Sequence, residues 1–171
     1  MKLKTKIVII ALGLGVSTSL VSSQDRQSPQ LPTVQPTIEG VWQDPRNGVN
    51  CDDPNQVLSG PFPAIVTFHR DGTMTDDTGA LEGTSNGYGT WRREPGRQNY
   101  SYRYTAFSTD ENGALAISGL ISVNLHLTDA NSYTSSDSIQ LFDADGNLIA
   151  TFCGRSTGTR FQYPAKTRFD L

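Results

Sequence analysis

The chain has 171 residues, with 14 Lys and Arg against 17 Asp and Glu, a formal net charge of −3, two cysteines and two histidines. Phosphate binding needs clustered Lys and Arg, so this balance argues against a nucleic-acid-binding class and against an anionic membrane surface. So few cysteines and histidines, set far apart, leave no metal site to expect, and no cofactor is implied.

The chain opens with Met1-Lys2-Leu3-Lys4-Thr5-Lys6, continues as an apolar run from Ile7 to Leu20, and reaches the small residues Val21-Ser22-Ser23 before Gln24. That order of basic, apolar and small segments is the layout of a secretory signal over residues 1–23, which makes a secreted or periplasmic location the expectation. The apolar run is shorter than the roughly 20 residues a spanning helix needs, so no stable membrane insertion is expected after cleavage. Loss of Lys2, Lys4 and Lys6 leaves 11 basic against 17 acidic residues, a net charge of −6. Residues 24–37, rich in Pro and Gln, read as a flexible leader. Residues 38–171 are long enough for one domain with one core.

From Ile38 onward the recurring pattern is alternation with period two, so the fold class is all-β. Strands are expected at Ile38 to Gln43, Ala64 to Arg70, Thr73 to Asp77, Gly87 to Arg93, Asn99 to Ser108, Leu115 to Leu127, Ser132 to Phe142, Asn147 to Gly154 and Gly158 to Tyr163. Asp44 to Pro61 reads as a long loop insertion. Gly119, in the middle of the longest run, suggests a bend or bulge. Asp71-Gly72 and Asp145-Gly146 supply the positive φ that tight hairpins need. Sequential hairpins make an antiparallel meander of about eight to nine strands, which protects its edges best by closing into a barrel. An open sandwich is the alternative.

Gly83-Thr84-Ser85-Asn86-Gly87 fits the G-x-S-x-G signature of serine hydrolases, but that motif needs a helix after the serine, and here a strand follows. His69 and His126 fall at a turn and on a polar face, and Asp52-Asp53 and Asp76-Asp77 read as solvated loops. The inward face is more informative. Tyr100, Tyr102 and Tyr104 share one face of their strand, and Tyr133, Ser135, Asp137, Ile139 and Leu141 share one face of another. An inward Asp137 has to be paired or hold a raised pKa.

Cys51 and Cys153 are expected to form a disulfide in an oxidising compartment. Closing a loop of about 100 residues contributes roughly 4 kcal/mol by the chain-entropy model.

Gly40-Val41-Trp42 resembles the G-x-W start of the lipocalin barrel, Thr128-Asp129-Ala130-Asn131-Ser132-Tyr133 resembles that family's T-D-x-x-x-Y turn, and Arg160 stands where a late arginine packs on the first-strand tryptophan. The chain departs from the family in lacking the C-terminal helix, in the late position of Arg160 and in the Asp44 to Pro61 insertion. It is also similar, over nearly the whole folded part, to uncharacterised exported bacterial proteins with a G-x-W start. The resemblance implies a lipocalin-like, calycin-type barrel with Trp42 and Arg160 as a structural plug. Such a barrel holds a small, largely apolar molecule, here lined by Tyr100, Tyr102, Tyr104, Leu125 and Ile139 with Asp137 as polar anchor. Two alternatives remain open at this point. One is a barrel isomerase or cyclase using Asp137 and a tyrosine as base and acid. The other is a filled barrel that binds another protein through its loops.

Overall fold

Alternating side chains sort the chain into ten antiparallel strands: β1 (Gly40–Gln43), β2 (Arg46–Val49), β3 (Val57–Phe62), β4 (Ile65–Phe68), β5 (Thr73–Asp77), β6 (Gly87–Arg93), β7 (Asn99–Thr109), β8 (Leu115–Leu127), β9 (Ser132–Asp143) and β10 (Leu148–Arg160). The structure is a computed structural model and describes residues 36–78 and 84–162, among which there is no helix. The signal segment, the leader before Pro36, Gly83 and Tyr163 lie outside the described residues.

Strands β1, β4, β5, β6, β7, β8, β9 and β10 pair in that order, and β10 pairs back on β1, which closes an eight-stranded barrel. Strands β2 and β3 extend it. Trp42 faces Arg160 and Arg46 faces Ser156 with no slip between them, so β1 and β2 are two halves of one strand interrupted at Asp44-Pro45. Pro45 has no N–H to give the ladder. On the opposite side Gln43 faces Ile65 and Arg46 faces Phe62, and the Asp44 N–H donates to Ala64 O (2.8 Å), so β3 and β4 form a second divided strand. Beyond Arg46 the β2–β3 ladder slips twice, and the pair leaves the barrel as an arm. All six residues of β3 are exposed, and β3 is the outermost strand of the sheet.

The expected loop from Asp44 to Pro61 therefore contains β2 and most of β3. Gly60, at φ +101°, sits inside β3 close to the Arg46 carbonyl. A second correction concerns the C-terminal strands. Asn147 to Gly154 and Gly158 to Tyr163 are expected as separate strands, but β10 runs through both and keeps its register on β9 from Ala150 to Thr159. Its interior glycines are there for space rather than for a turn. A Cβ at Gly154 would overlap the Asp137 carboxylate, and one at Gly158 would overlap the Tyr133 ring. Gly119 makes no bulge either, because both ladders of β8 pass it without a shift.

One barrel end is sealed. Arg160 Cζ lies 4.2 Å from the Trp42 ring centroid, and its guanidinium donates to the carbonyls of Thr37, Glu39 and Ala130. Trp42 Nε1 donates to Ile38 O (2.8 Å), and the Trp42 ring packs on Tyr133 at a centroid distance of 4.9 Å. Phe68, Tyr102, Trp91 and Tyr100 continue this aromatic layer, with Leu125 and Leu127 buried beside them.

Cys51 and Cys153 form the expected disulfide, with Cα atoms 5.2 Å apart, and it ties the arm to the outer face of β10. Replacing both by alanine is expected to lower the unfolding free energy by about 3 to 5 kcal/mol, measured by urea denaturation, because 102 residues separate the two cysteines.

Candidate functional site

Above the aromatic layer the inward positions turn polar. Trp42, Asp44 and Arg46 are successive inward residues of the divided β1–β2 strand, and Met74 is followed inward by Asp76 on β5. Asp44 is wholly buried and Asp76 is 3% exposed. Strand β7 contributes Tyr102 and Tyr104, β9 contributes Tyr133, Ser135 and Asp137, and β10 contributes Ser156. Gly87 and Gly89 on β6 give Tyr104 room to lie across the barrel, since a Cβ at either would overlap it.

Arg46 organises this layer. Its Nε donates to Asp44 Oδ2 (2.8 Å), its Nη1 to Asp76 Oδ1 (3.1 Å), Thr78 Oγ1 (3.2 Å) and Tyr104 Oη (2.7 Å), and its Nη2 to Asp76 Oδ2. Ser156 Oγ donates to Asp44 Oδ1, so Ser135 Oγ is the donor in its 2.7 Å bond to Ser156 Oγ. Each carboxylate oxygen of Asp44 and Asp76 is thereby satisfied.

Two groups are not. Asp137 Oδ1 is buried and has no hydrogen-bond partner, and the same holds for Tyr133 Oη. The Tyr133 hydroxyl lies beside the Asp44 carboxylate without reaching ordinary hydrogen-bond geometry. Burial pushes the Asp137 carboxyl up to about 6, Arg46 pulling against this and Asp44 adding to it. Burial likewise holds the protons on Tyr102, Tyr104 and Tyr133 far above the ordinary phenol range.

Toward the end of the barrel opposite Arg160, the inward face becomes apolar again. Ile139 faces Ile121 on β8 and Phe152 on β10, and Leu141 faces Gly119 and Ala150. Ile121 is buried, Ile139 and Leu141 are half-buried, and Phe152 is 51% exposed, so these residues form a mouth that meets solvent.

The structure thus brings Tyr104, Asp137 and Ile139 together at the polar layer and its mouth. Tyr102 stacks on Tyr104 at 6.2 Å from below, whereas Tyr100 and Leu125 lie deeper, in the sealed aromatic end. Asp76 and Asp77 lie in β5, as the expected strand from Thr73 to Asp77 has them, and Asp76 points into the barrel, which corrects the reading of the pair as a solvated loop. Asp44, Arg46 and Ser156 are absent from the sequence expectation. Continuing the alternation of Trp42 by two and four positions would have found the first two. His69 and His126 are exposed, His126 being hydrogen-bonded to Asn99. Ser85 is exposed, its hydroxyl donating to Asn86 O, with β6 rather than a helix beginning at Gly87. No group of His, Cys, Asp and Glu among the described residues is arranged to hold a metal ion.

No protein-family model matches the chain, and no curated protein matches it in sequence.

Arg46→Met leaves the Asp44 and Asp76 carboxylates buried without their cation and is expected to cost about 3 to 5 kcal/mol of stability in denaturant unfolding. Adding Asp44→Asn and Asp76→Asn should return a large part of that loss.

The raised Asp137 value sets a second expectation. The folded chain takes up this proton before the unfolded chain does, so stability rises as the pH falls from 7.5 through about 6. The ionised carboxylate costs on the order of 2 to 3 kcal/mol above that range. Asp137→Asn should therefore melt higher than the parent at pH 7.5 and show a flatter thermal midpoint between pH 7.5 and 5.5.

Proposed function

We propose that this protein is an exported, lipocalin-like binding barrel that takes a small, largely apolar molecule through the mouth opposite the Trp42–Arg160 plug. The observation that carries this reading is the unpartnered Asp137 Oδ1, which lies on the inward face of β9 next to Ile139 and below the apolar rim of Ile121, Leu141 and Phe152. Apolar walls with a few convergent polar groups are the usual design of small-molecule sites. In this reading Ile139 and the rim hold the apolar body, Asp137 and Tyr104 face its polar end, and Tyr100, Tyr102 and Leu125 support the floor. Export is supported by the basic-apolar-small order of residues 1–23 and by the disulfide.

The isomerase or cyclase reading calls for a tyrosine hydroxyl hydrogen-bonded to Asp137 in an acid–base pair. Asp137 Oδ1 has no hydrogen-bond partner, a tyrosine hydroxyl included, which favours binding over proton transfer. The filled-barrel reading draws on the aromatic packing around Trp42 and Phe68.

Native mass spectrometry of the mature protein, incubated with a lipid and metabolite extract of its host, distinguishes these readings. A discrete added mass that is lost on denaturation is the expected result. A bare mass from protein that retains its β circular-dichroism spectrum overturns the binding reading in favour of the filled barrel.

A further inference from the structure

Charge inside the barrel does not balance. Asp44, Asp76 and Asp137 contribute three carboxylates to the inward face, and among the described residues Arg46 is the guanidinium bonded to Asp44 and Asp76, so two negative charges are in excess of it when all are ionised. Arg46 directs its Nε, its Nη1 and one N–H of Nη2 at Asp44, Asp76, Thr78 and Tyr104, and none of these bonds goes to Asp137. An anionic head group entering from the mouth would meet this excess of negative charge. A neutral hydroxyl could bond Asp137 but would leave the imbalance as it stands.

Two wholly buried polar atoms, Asp137 Oδ1 and Tyr133 Oη, have no partner, and the second belongs to a side chain with no solvent exposure at all. Both are oxygens, and one belongs to a carboxylate, which when ionised can only accept. What Asp137 Oδ1 lacks is a donor. Burying an unpaired carboxylate is costly, and a charge-assisted hydrogen bond from an ammonium removes that cost, whereas an alcohol removes only part of it.

Resting on the binding reading above, we propose that the molecule held by this barrel carries a protonated amine, seated against Asp137, with its apolar chain directed to Ile121, Ile139 and Phe152. The acceptor is Asp137 itself, and Arg46 serves to keep Asp44 and Asp76 occupied so that they do not compete for the ligand.

The test uses three probes of equal length, octylamine, octanol and octanoate, titrated calorimetrically into the mature disulfide-bonded protein at pH 7.5. Octylamine is expected to bind at least tenfold more tightly than octanol, and octanoate more weakly than either. In Asp137→Asn the octylamine affinity should fall to that of octanol while the octanol affinity stays within twofold. Equal or tighter binding of octanol or octanoate overturns the amine proposal and leaves the binding barrel standing. An undiminished amine preference in Asp137→Asn overturns the assignment to Asp137. Failure of all three probes to bind overturns both readings.

Discussion

The interior of this barrel depends on one ion pair network, in which Arg46 lies between Asp44 and Asp76. Two buried carboxylates cannot remain in a protein interior without a cation and hydrogen bonds. The strand that delivers Arg46 is the same one that carries Trp42 and Asp44, so plug and charge layer are placed by a single alternation. The break at Asp44-Pro45 lets that strand serve two neighbours, β4 within the barrel and β3 in the arm, while its register against β10 stays constant. A slip of one residue there would turn Trp42, Asp44 and Arg46 outward together.

Interior volume is divided between large and absent side chains. Tyr133 and Asp137 on β9 lie against Gly158 and Gly154 on β10, and Tyr104 on β7 lies against Gly87 and Gly89 on β6. Gly87, Gly154 and Gly158 each admit a side chain from the adjacent strand, and Gly89 admits the backbone at Arg103 and Tyr104. The pattern explains why a barrel with five inward aromatic residues on β7, β9 and β6 still has space for a charge layer above them. It also makes these glycines as specific to the site as the residues they admit.

Much of this was legible in the sequence, and what was missed has a common cause. Strands β5, β6 and β8 match their expected bounds because larger and smaller or polar side chains alternate there between turn residues, Asp71-Gly72 before β5, Pro95-Gly96 after β6 and Asn112-Gly113 before β8. The inward face of β9 could be read for the same reason, and with it Asp137. Strands β2 and β3 escaped because Gly48, Gly60 and Pro61 carry turn signals, and their inward position 46 holds a charge where the pattern asks for an apolar residue. Asp76 escaped because two adjacent aspartates look like a solvated loop, although alternation places one of them outside and the other inside. Buried charges break the hydrophobic pattern at the place where they matter most, so the Asp44, Arg46 and Asp76 part of the polar layer was visible only once tertiary pairing brought them together.

The arm has a consequence that reaches beyond the interior. Closure of β10 on β1 removes the free edges of the eight-stranded ring, but β3 stands last in the sheet and puts an edge back on the surface. Val57, Leu58 and Phe62 on it are exposed, which are the ingredients of chain-to-chain strand pairing. Pro61 withholds a donor from that edge, and the two slips against β2 twist it away from flatness. The same residues that disguised this strand in the sequence thus guard the molecule against adding another strand to itself.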